Sequence, residues 1–315
     1  MGPHTQADVL SDIMALIITG ASGHFGRATA SALLQRVPAR ELILVTRNPA
    51  RLADFAARGA QVRRGDFDDL ASLESAFVGG ERMLLISALK VGSRIPQHTN
   101  AIDAAVKCGV EHIVYTSFAG KTEGNPSLAV VDHRGTEEAL RRSGVTWTSL
   151  RNTQYTDALI EAAAPLALRS GRWLSCTGRG KLAPVTRQDC VNAAVAVMAI
   201  PGHINTTYDI TGPELLTFRD ISTLIAEVAG KPIEYVDMDD AGMYAFFDSL
   251  GIPREAVPDQ SVENVPWSSD DMVSYERSIR AGYMEVISNH VEELTGRKPK
   301  SFREFALERR ADLSS

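Results

Sequence analysis

An open, doubly wound parallel α/β sheet with a smaller C-terminal α/β lobe is the fold this sequence predicts, on three observations. Short apolar runs, partly β-branched, alternate with amphipathic helical stretches, a spacing that demands right-handed crossovers and a parallel sheet covered on both faces. The first run, Ala15 to Ile18, enters Thr19-Gly20-Ala21-Ser22-Gly23-His24-Phe25-Gly26, and a helical period with Ala28, Ala32 and Leu33 follows it. With 315 residues the chain can bury one large core and an appended lobe.

Three glycines spaced three apart between a strand and a helix form the phosphate cradle of a Rossmann-type dinucleotide fold. Gly20 permits a turn that a Cβ would obstruct, Gly23 lets the backbone approach a pyrophosphate, and Gly26 lets helix and strand pack closely. Ser22, His24 and Phe25 share that turn, and the phosphates would sit at the positive N-terminus of the helix. The spacing is GxxGxxG, so it is the position after the first strand and before the first helix that carries the assignment.

Glu41 to Thr46 reads as the second strand, ending in Arg47-Asn48-Pro49 where an adenosine ribose would lie. An acidic residue there would suit the free 2′-hydroxyl of NAD, whereas the Arg47 guanidinium attracts a 2′-phosphate and points to NADP(H). Read instead as a solvated arginine opening a loop, Arg47 leaves NAD open. Gln61 to Asp66 is a third strand; Asp66 and Phe67 suit an adenine amine and ring, and the run Asp66 to Asp69 also suits the cap of the next helix. Met83 to Ala88 is the fourth strand, closing on Ser87 and Ala88, small enough to pass near a cofactor.

A helix over 97–108 follows, with His98 read as a surface or capping residue. His112 to Ser117 is the fifth strand, 130–142 a helix and Val145 to Leu150 the sixth strand. Because ligands bind at the carboxyl ends of such strands, one edge gathers Gly20 to Gly26, Arg47, Asp66, Ser87, Ser117 and the run Arg151 to Tyr155. Residues 156–182 read as a connection over that edge, and 183–198 as a capped helix with Asp189 near its start. Tyr208 to Thr211, Phe218 to Ala229 and Ile233 to Val236 add strand, helix and strand, and 240–315 read as helices broken at Pro253, Pro258, Pro266 and Pro299.

The expected division is a loose extension over 1–14, a nucleotide-binding core over 15–155 with a return segment over 183–212, and a substrate lobe from 156–182 and 213–315. Met243, Tyr244, Phe246 and Phe247 offer that lobe either a pocket wall or plain core.

A net charge of −6 with no long basic run argues against a nucleic-acid surface and for a small-molecule substrate. Cys108, Cys176 and Cys190 are odd in number and lack CxxC spacing, which argues against a disulfide framework and a metal site and fits a reducing cytoplasm. No run approaches the roughly 18 apolar residues of a membrane span, and 1–14 lack the apolar centre of a signal peptide.

Taken together, Thr19 to Gly26, Arg47-Asn48-Pro49, Gly65-Asp66-Phe67, Pro96-Gln97-His98 with Asn100, Tyr115-Thr116-Ser117, and Leu150-Arg151-Asn152 with Tyr155 resemble the NmrA-like atypical short-chain dehydrogenases, in the branch of NAD(P)H:quinone oxidoreductases and triphenylmethane reductases. The likeness covers Leu16 to Gly212 well and Phe302 to Phe305 more loosely. It implies a reductase that holds NADP(H), with Asn152 among the cofactor contacts and an aromatic or quinoid substrate between core and lobe.

Ordinary ketone reduction in short-chain dehydrogenases uses a Tyr and a Lys one helical turn apart, and this sequence has no YxxxK. The helix that should carry the lysine presents Asp132-His133-Arg134 instead, and the resemblance to benzylic-ether reductases puts His133 where they have a lysine. His133 could hold the nicotinamide ribose or relay a proton, since an imidazole titrates near neutrality. Tyr155 is the other candidate for substrate contact or proton donation. A quinone accepting hydride gives a stabilised anion, so water suffices as the proton source. The same residues leave open a tailoring enzyme of aromatic polyketides and a non-catalytic NAD(P) sensor, and they fix neither the natural substrate nor the oligomeric state.

Overall fold

A computed structural model describes residues 15–121, 123–257 and 268–314. The expected extension over 1–14 and the breaks at Pro258 and Pro266 lie outside these residues. The first half runs β1 (Leu16–Ile18), α1 (His24–Leu33), β2 (Leu42–Thr46), α2 (Ala53–Ala57), β3 (Gln61–Arg64), α3 (Leu70–Phe77), β4 (Arg82–Leu85), α4 (Arg94–Lys107), β5 (His112–Phe118), α5 (Leu128–Ser143) and β6 (Thr146–Asn152). There follow α6 (Thr156–Ala158), α7 (Ala164–Ser170), β7 (Arg172–Ser175), α8 (Arg187–Ala199), β8 (Thr206–Ile210), α9 (Phe218–Ala229), β9 (Glu234–Asp237), α10 (Asp240–Ser249), α11 (Ser269–Arg280), α12 (His290–Thr295), α13 (Phe302–Glu308) and α14 (Arg310–Ser314).

Seven strands form one parallel sheet in the order β3-β2-β1-β4-β5-β6-β8. The winding reverses between β1 and β4, and that reversal opens the crevice in which such sheets bind ligands. Side chains alternate across the sheet. Leu16, Ile18, Leu44, Val114 and Leu150 meet α1 and α8 on one face, and Ile17, Ile43, Met83, Ile113 and Tyr115 meet α3 and α4 on the other. Burial on both faces is why these strands read as unbroken apolar runs.

Helix α8 is capped by Thr186, whose hydroxyl accepts the Asp189 N–H at 3.0 Å. From Cys190 to Ala199 nearly every residue is buried, because the helix packs on the sheet and against α1 and is also covered by α12.

The segment expected to be a bare connection, 156–182, folds instead: a π turn over Leu159–Ala163 joins α6 to α7, and β7 pairs in parallel with β9 as a separate two-stranded sheet. Helix α7 ends at left-handed Gly171, and the four residues of β7 that follow carry little periodicity, with their partner strand far along the chain. A third apolar cluster, including Trp173, Phe218, Ile221 and Phe302, fills the space beneath it. Met243 and Phe247 are buried with Cys176 and Val273 in a small fourth cluster, while Tyr244 and Phe246 are half-buried against it.

Candidate functional site

The cradle is built as its spacing requires. Gly20 sits at φ +58°, in the left-handed region. A Cβ on Gly26 would lie 2.6 Å from the Gly20 carbonyl oxygen and 2.7 Å from the Ala21 Cα, so the helix packs directly on the turn. At Gly23 a Cβ would meet only the Gly20 oxygen, at 3.4 Å, which leaves the side facing out of the turn open. Gly23 also N-caps α1 without a side-chain hydrogen bond, so the first N–H groups of the helix are free for an anion. Ser22 Oγ lies 2.8 Å from Thr46 Oγ1, tying the cradle to the end of β2. His24 is exposed, whereas the Phe25 side chain is buried in the core against the sheet; only its backbone faces the turn.

Arg47 is exposed beside this turn. Arg27, a second cation nearby, is held by Asp54 at 2.5 Å and by the Arg51 carbonyl at 2.8 Å. The third strand stops at Arg64, short of Asp66, which turns back on its own loop, Oδ1 accepting the Asp68 N–H at 3.2 Å. Within the run Asp66 to Asp69 expected to cap α3, it is Asp69 that does so, accepting the Ser72 N–H. Phe67 is half-buried, edge-on to His98 at 5.9 Å.

Strand β4 ends at Leu85, so Ser87 and Ala88 lie in the loop beyond it. Thr116 Oγ1 accepts the Ser87 N–H at 2.9 Å, and His98 Nε2 accepts the Ala88 N–H at 2.9 Å. His98 is therefore neither a surface nor a capping residue. It is fully buried, and because Nε2 accepts, its proton sits on Nδ1, 2.8 Å from Thr136 Oγ1. Burial pushes its pKa down to about 3, so the ring stays neutral and pins the loop.

Ser117 projects to the α5 side of the sheet, where its hydroxyl donates to Glu137 at 2.7 Å. Buried Glu137 also takes a bidentate pair from Arg151, at 2.6 and 2.8 Å. The Ser117 side chain is thus committed to an internal network and does not reach along the strand-end edge.

His133 Nδ1 is 2.6 Å from the hydroxyl of Tyr115, and both are buried; Phe118 stacks on the imidazole at 5.8 Å. Burial, reinforced by the charge of Arg94, holds the His133 pKa well below 6.5. The expectation of an imidazole titrating near neutrality is corrected accordingly: the ring is neutral at neutral pH and has no ionic proton to relay. Burial also pushes the Tyr115 phenol far up.

At the end of β6, Asn152 donates to the Tyr155 hydroxyl at 3.0 Å. Asn152 Oδ1 is buried and has no hydrogen-bond partner among the described residues. Burial raises the Tyr155 phenol as well, and Arg187 lies over its ring at 5.8 Å.

Sequence reasoning missed the ties of His98 to Ala88 and of Glu137 to Ser117 and Arg151, whose partners lie 10, 20 and 14 residues apart on different elements. Among the described residues no helix is long and apolar enough to cross a membrane.

Comparison with known proteins agrees with this geometry. The NAD(P)H-binding family matches residues 20–198. Quinone oxidoreductase 2 of Escherichia coli is 37% identical over 238 residues, covering 76% of this chain and 82% of that protein. Among solved structures, the NADPH complex of the E. coli NADPH-dependent quinone oxidoreductase superposes with a TM-score of 0.84 at 32% identity, covering 93% of this chain and 99% of that one. The Citrobacter sp. triphenylmethane reductase complexed with NADP(H) gives 0.83 at 28% identity, covering 94% and 100%.

Proposed function

This chain belongs to the NAD(P)H-binding family, in its NmrA-like branch, and is an NAD(P)H-dependent oxidoreductase; from that premise we propose that it reduces a quinone or similar planar aromatic electrophile with NADP(H). NADP(H), when bound, supplies the hydride. The glycine turn and the uncapped start of α1 hold its pyrophosphate through backbone N–H groups, with Ser22 and His24 at the rim. Arg47 pairs with the 2′-phosphate, and Asp66 and Phe67 flank the adenine. The loop at Ser87 and Ala88, pinned by Thr116 and His98, bounds the nicotinamide end. Asn152 Oδ1, which has no partner among the described residues, would offer the cofactor an acceptor, and the Asn152 bond to Tyr155 fixes that side chain.

The observation that carries the reading is the pair Tyr115 and His133 in place of Tyr and Lys. A buried phenol far above its ordinary pKa keeps its proton and donates it to Nδ1 of the neutral imidazole, so the ring proton sits on Nε2. His133 is then a fixed, uncharged N–H donor, able to stabilise a developing oxyanion and unable to protonate an alkoxide. That suits a quinone, which takes one hydride to become a stabilised hydroquinone anion and then one proton from water. Tyr155, raised by burial, orients substrate rather than donating a proton. The division into a nucleotide core and a substrate lobe follows, with the substrate in the seam between them. Three free cysteines fit a cytoplasmic setting.

The test mixes purified protein, NADPH and a panel of quinones and follows nicotinamide absorbance. Oxidation dependent on quinone is expected, and His133→Ala should lower kcat/KM by about ten- to thousandfold, the range of a positioned donor. Absence of turnover across the panel would overturn the quinone reading.

A further inference from the structure

The loop over 87–92, after β4, is held by side chains from two helices. Arg94, in the first turn of α4, donates from Nε to the Ala88 carbonyl at 2.7 Å and from Nη2 to the Leu89 carbonyl at 3.1 Å. It forms no ion pair among the described residues, and both of its hydrogen bonds go to this loop. Successive carbonyls of an extended chain point to opposite sides, so one guanidinium reaches both only because the chain turns here. One helical turn further on, His98 Nε2 accepts the Ala88 N–H at 2.9 Å. Arg94 and His98 are spaced i, i+4 on one face of α4, and between them they engage both backbone polar groups of Ala88.

Helix α5 repeats the device at the same spacing. Asp132 Oδ2 accepts the Gly92 N–H at 2.6 Å, and Thr136, four residues later, has its Oγ1 2.8 Å from His98 Nδ1. The Thr136 hydroxyl donates to the Asp132 carbonyl at 3.1 Å, so it accepts from the imidazole and leaves Nε2 to Ala88. The bonds thus run in one direction, from Ala88 through His98 and Thr136 to the backbone of α5. His133 lies between Asp132 and Thr136, and its Nδ1 is fixed by Tyr115 at 2.6 Å. Loop and imidazole are therefore referenced to a single turn of α5. His98, Asp132, His133 and Thr136 are all buried, which keeps water from competing for these bonds.

We propose that Arg94 and Asp132 are positioning residues, which set the 88–92 loop as a rigid wall for the nicotinamide ring in register with His133; this rests on the placement of the nicotinamide end in the function proposed above. Because the Ala88 N–H and carbonyl are both engaged by α4, the loop acts by excluding unproductive positions of the ring rather than by hydrogen-bonding it at this residue. Both side chains act through the loop. Hydride transfer is sensitive to such placement, since a displacement of about 1 Å can cost roughly a hundredfold in rate.

The test compares NADP+ with 2′-phospho-ADP-ribose, the same nucleotide without its nicotinamide, by calorimetry, beside turnover of NADPH with the quinone panel. In Arg94→Ala the affinity for the fragment should stay within about twofold of wild type, while the advantage of NADP+ over the fragment falls severalfold and kcat falls about ten- to hundredfold. Asp132→Ala should do the same, and Asp132→Asn, which keeps an acceptor for the Gly92 N–H, should recover most of the loss. Arg94→Lys, with one ammonium in place of a fork, should recover only part. A purely structural role would lower the unfolding temperature and weaken both ligands together, leaving their ratio unchanged. That result overturns the proposal, as do equal affinities for the two ligands in wild type, or an Asp132→Asn variant no better than Asp132→Ala. The binding ratio does not depend on the electron acceptor. If wild type reduces no quinone, the quinone reading fails and the ratio still decides the wall; an unchanged ratio beside quinone turnover sinks the wall alone.

Discussion

At the scale of single residues, Arg47 is the proposed reader of the cofactor's 2′-phosphate. It is exposed at the end of β2 and forms no ion pair among the described residues, whereas neighbouring Arg27 is already held by Asp54. A 2′-phosphate carries nearly two negative charges, and a guanidinium meets it with charge-assisted, bidentate hydrogen bonds worth about 1.5–3 kcal/mol. Arg47→Asp removes that attraction, adds repulsion and gives the free 2′-hydroxyl of NADH an acceptor. The ratio of kcat/KM for NADPH over NADH should fall at least tenfold and up to about a hundredfold, less in high salt. Measuring both cofactors with both proteins checks this; an unchanged ratio, or a wild type that already prefers NADH, removes Arg47 from the phosphate site.

At the scale of elements, the turn between β1 and α1 separates two uses of glycine. Gly26→Ala drives a Cβ into backbone atoms at 2.6 and 2.7 Å, so α1 must lift from the turn, at a cost of about 1–3 kcal/mol as in other overpacked sites. Gly23→Ala meets one oxygen at 3.4 Å with φ at −79°, which an alanine adopts freely. Thermal unfolding should therefore register Gly26→Ala strongly and Gly23→Ala little, while calorimetry should show NADP+ affinity falling at least tenfold in Gly23→Ala, where a methyl group occupies the phosphate approach. The opposite pattern would mean the glycine roles are exchanged. This turn was legible in the sequence because its three glycines and flanking elements are contiguous, and β1, β2, β4 and β5 were legible because burial on both faces leaves apolar runs. Strand β7 was not, since Arg172–Ser175 is half-exposed, short and defined by a distant partner. The site divided the same way: residues adjacent to strand ends could be placed by the crevice rule, but the commitment of Ser117 to Glu137, or of His98 to Ala88, joins a strand or loop to a covering helix and leaves no local pattern.

For the whole molecule, the buried histidines set how stability depends on pH. His98 is held down at about 3 and His112 at about 4, and His133 lies well below its ordinary 6.5, each chiefly through burial. Below 6.5 the unfolded chain binds protons on these rings that the native protein does not, so stability is full above that pH and falls as the pH drops, by about 1.4 kcal/mol per pH unit for each ring. The loss continues until the native ring itself protonates. Asp271, raised to about 6, and Asp132, Asp209 and Glu276, also raised by burial, act oppositely: the native state holds their protons more tightly, so acidification stabilises it between the ordinary carboxyl range and the raised values. The total curve is the sum, and a single histidine must be isolated by difference. His98→Gln offers a carbonyl to the Ala88 N–H in place of Nε2 and cannot titrate. Urea unfolding of both proteins at a series of pH values should give a constant difference above about pH 7, and between pH 6 and 4 the wild type should lose roughly 1.4 kcal/mol per unit relative to the variant. Curves that stay parallel through that range would mean that native His98 takes up a proton near its ordinary pKa and that the loop at Ala88 is not held by a neutral ring.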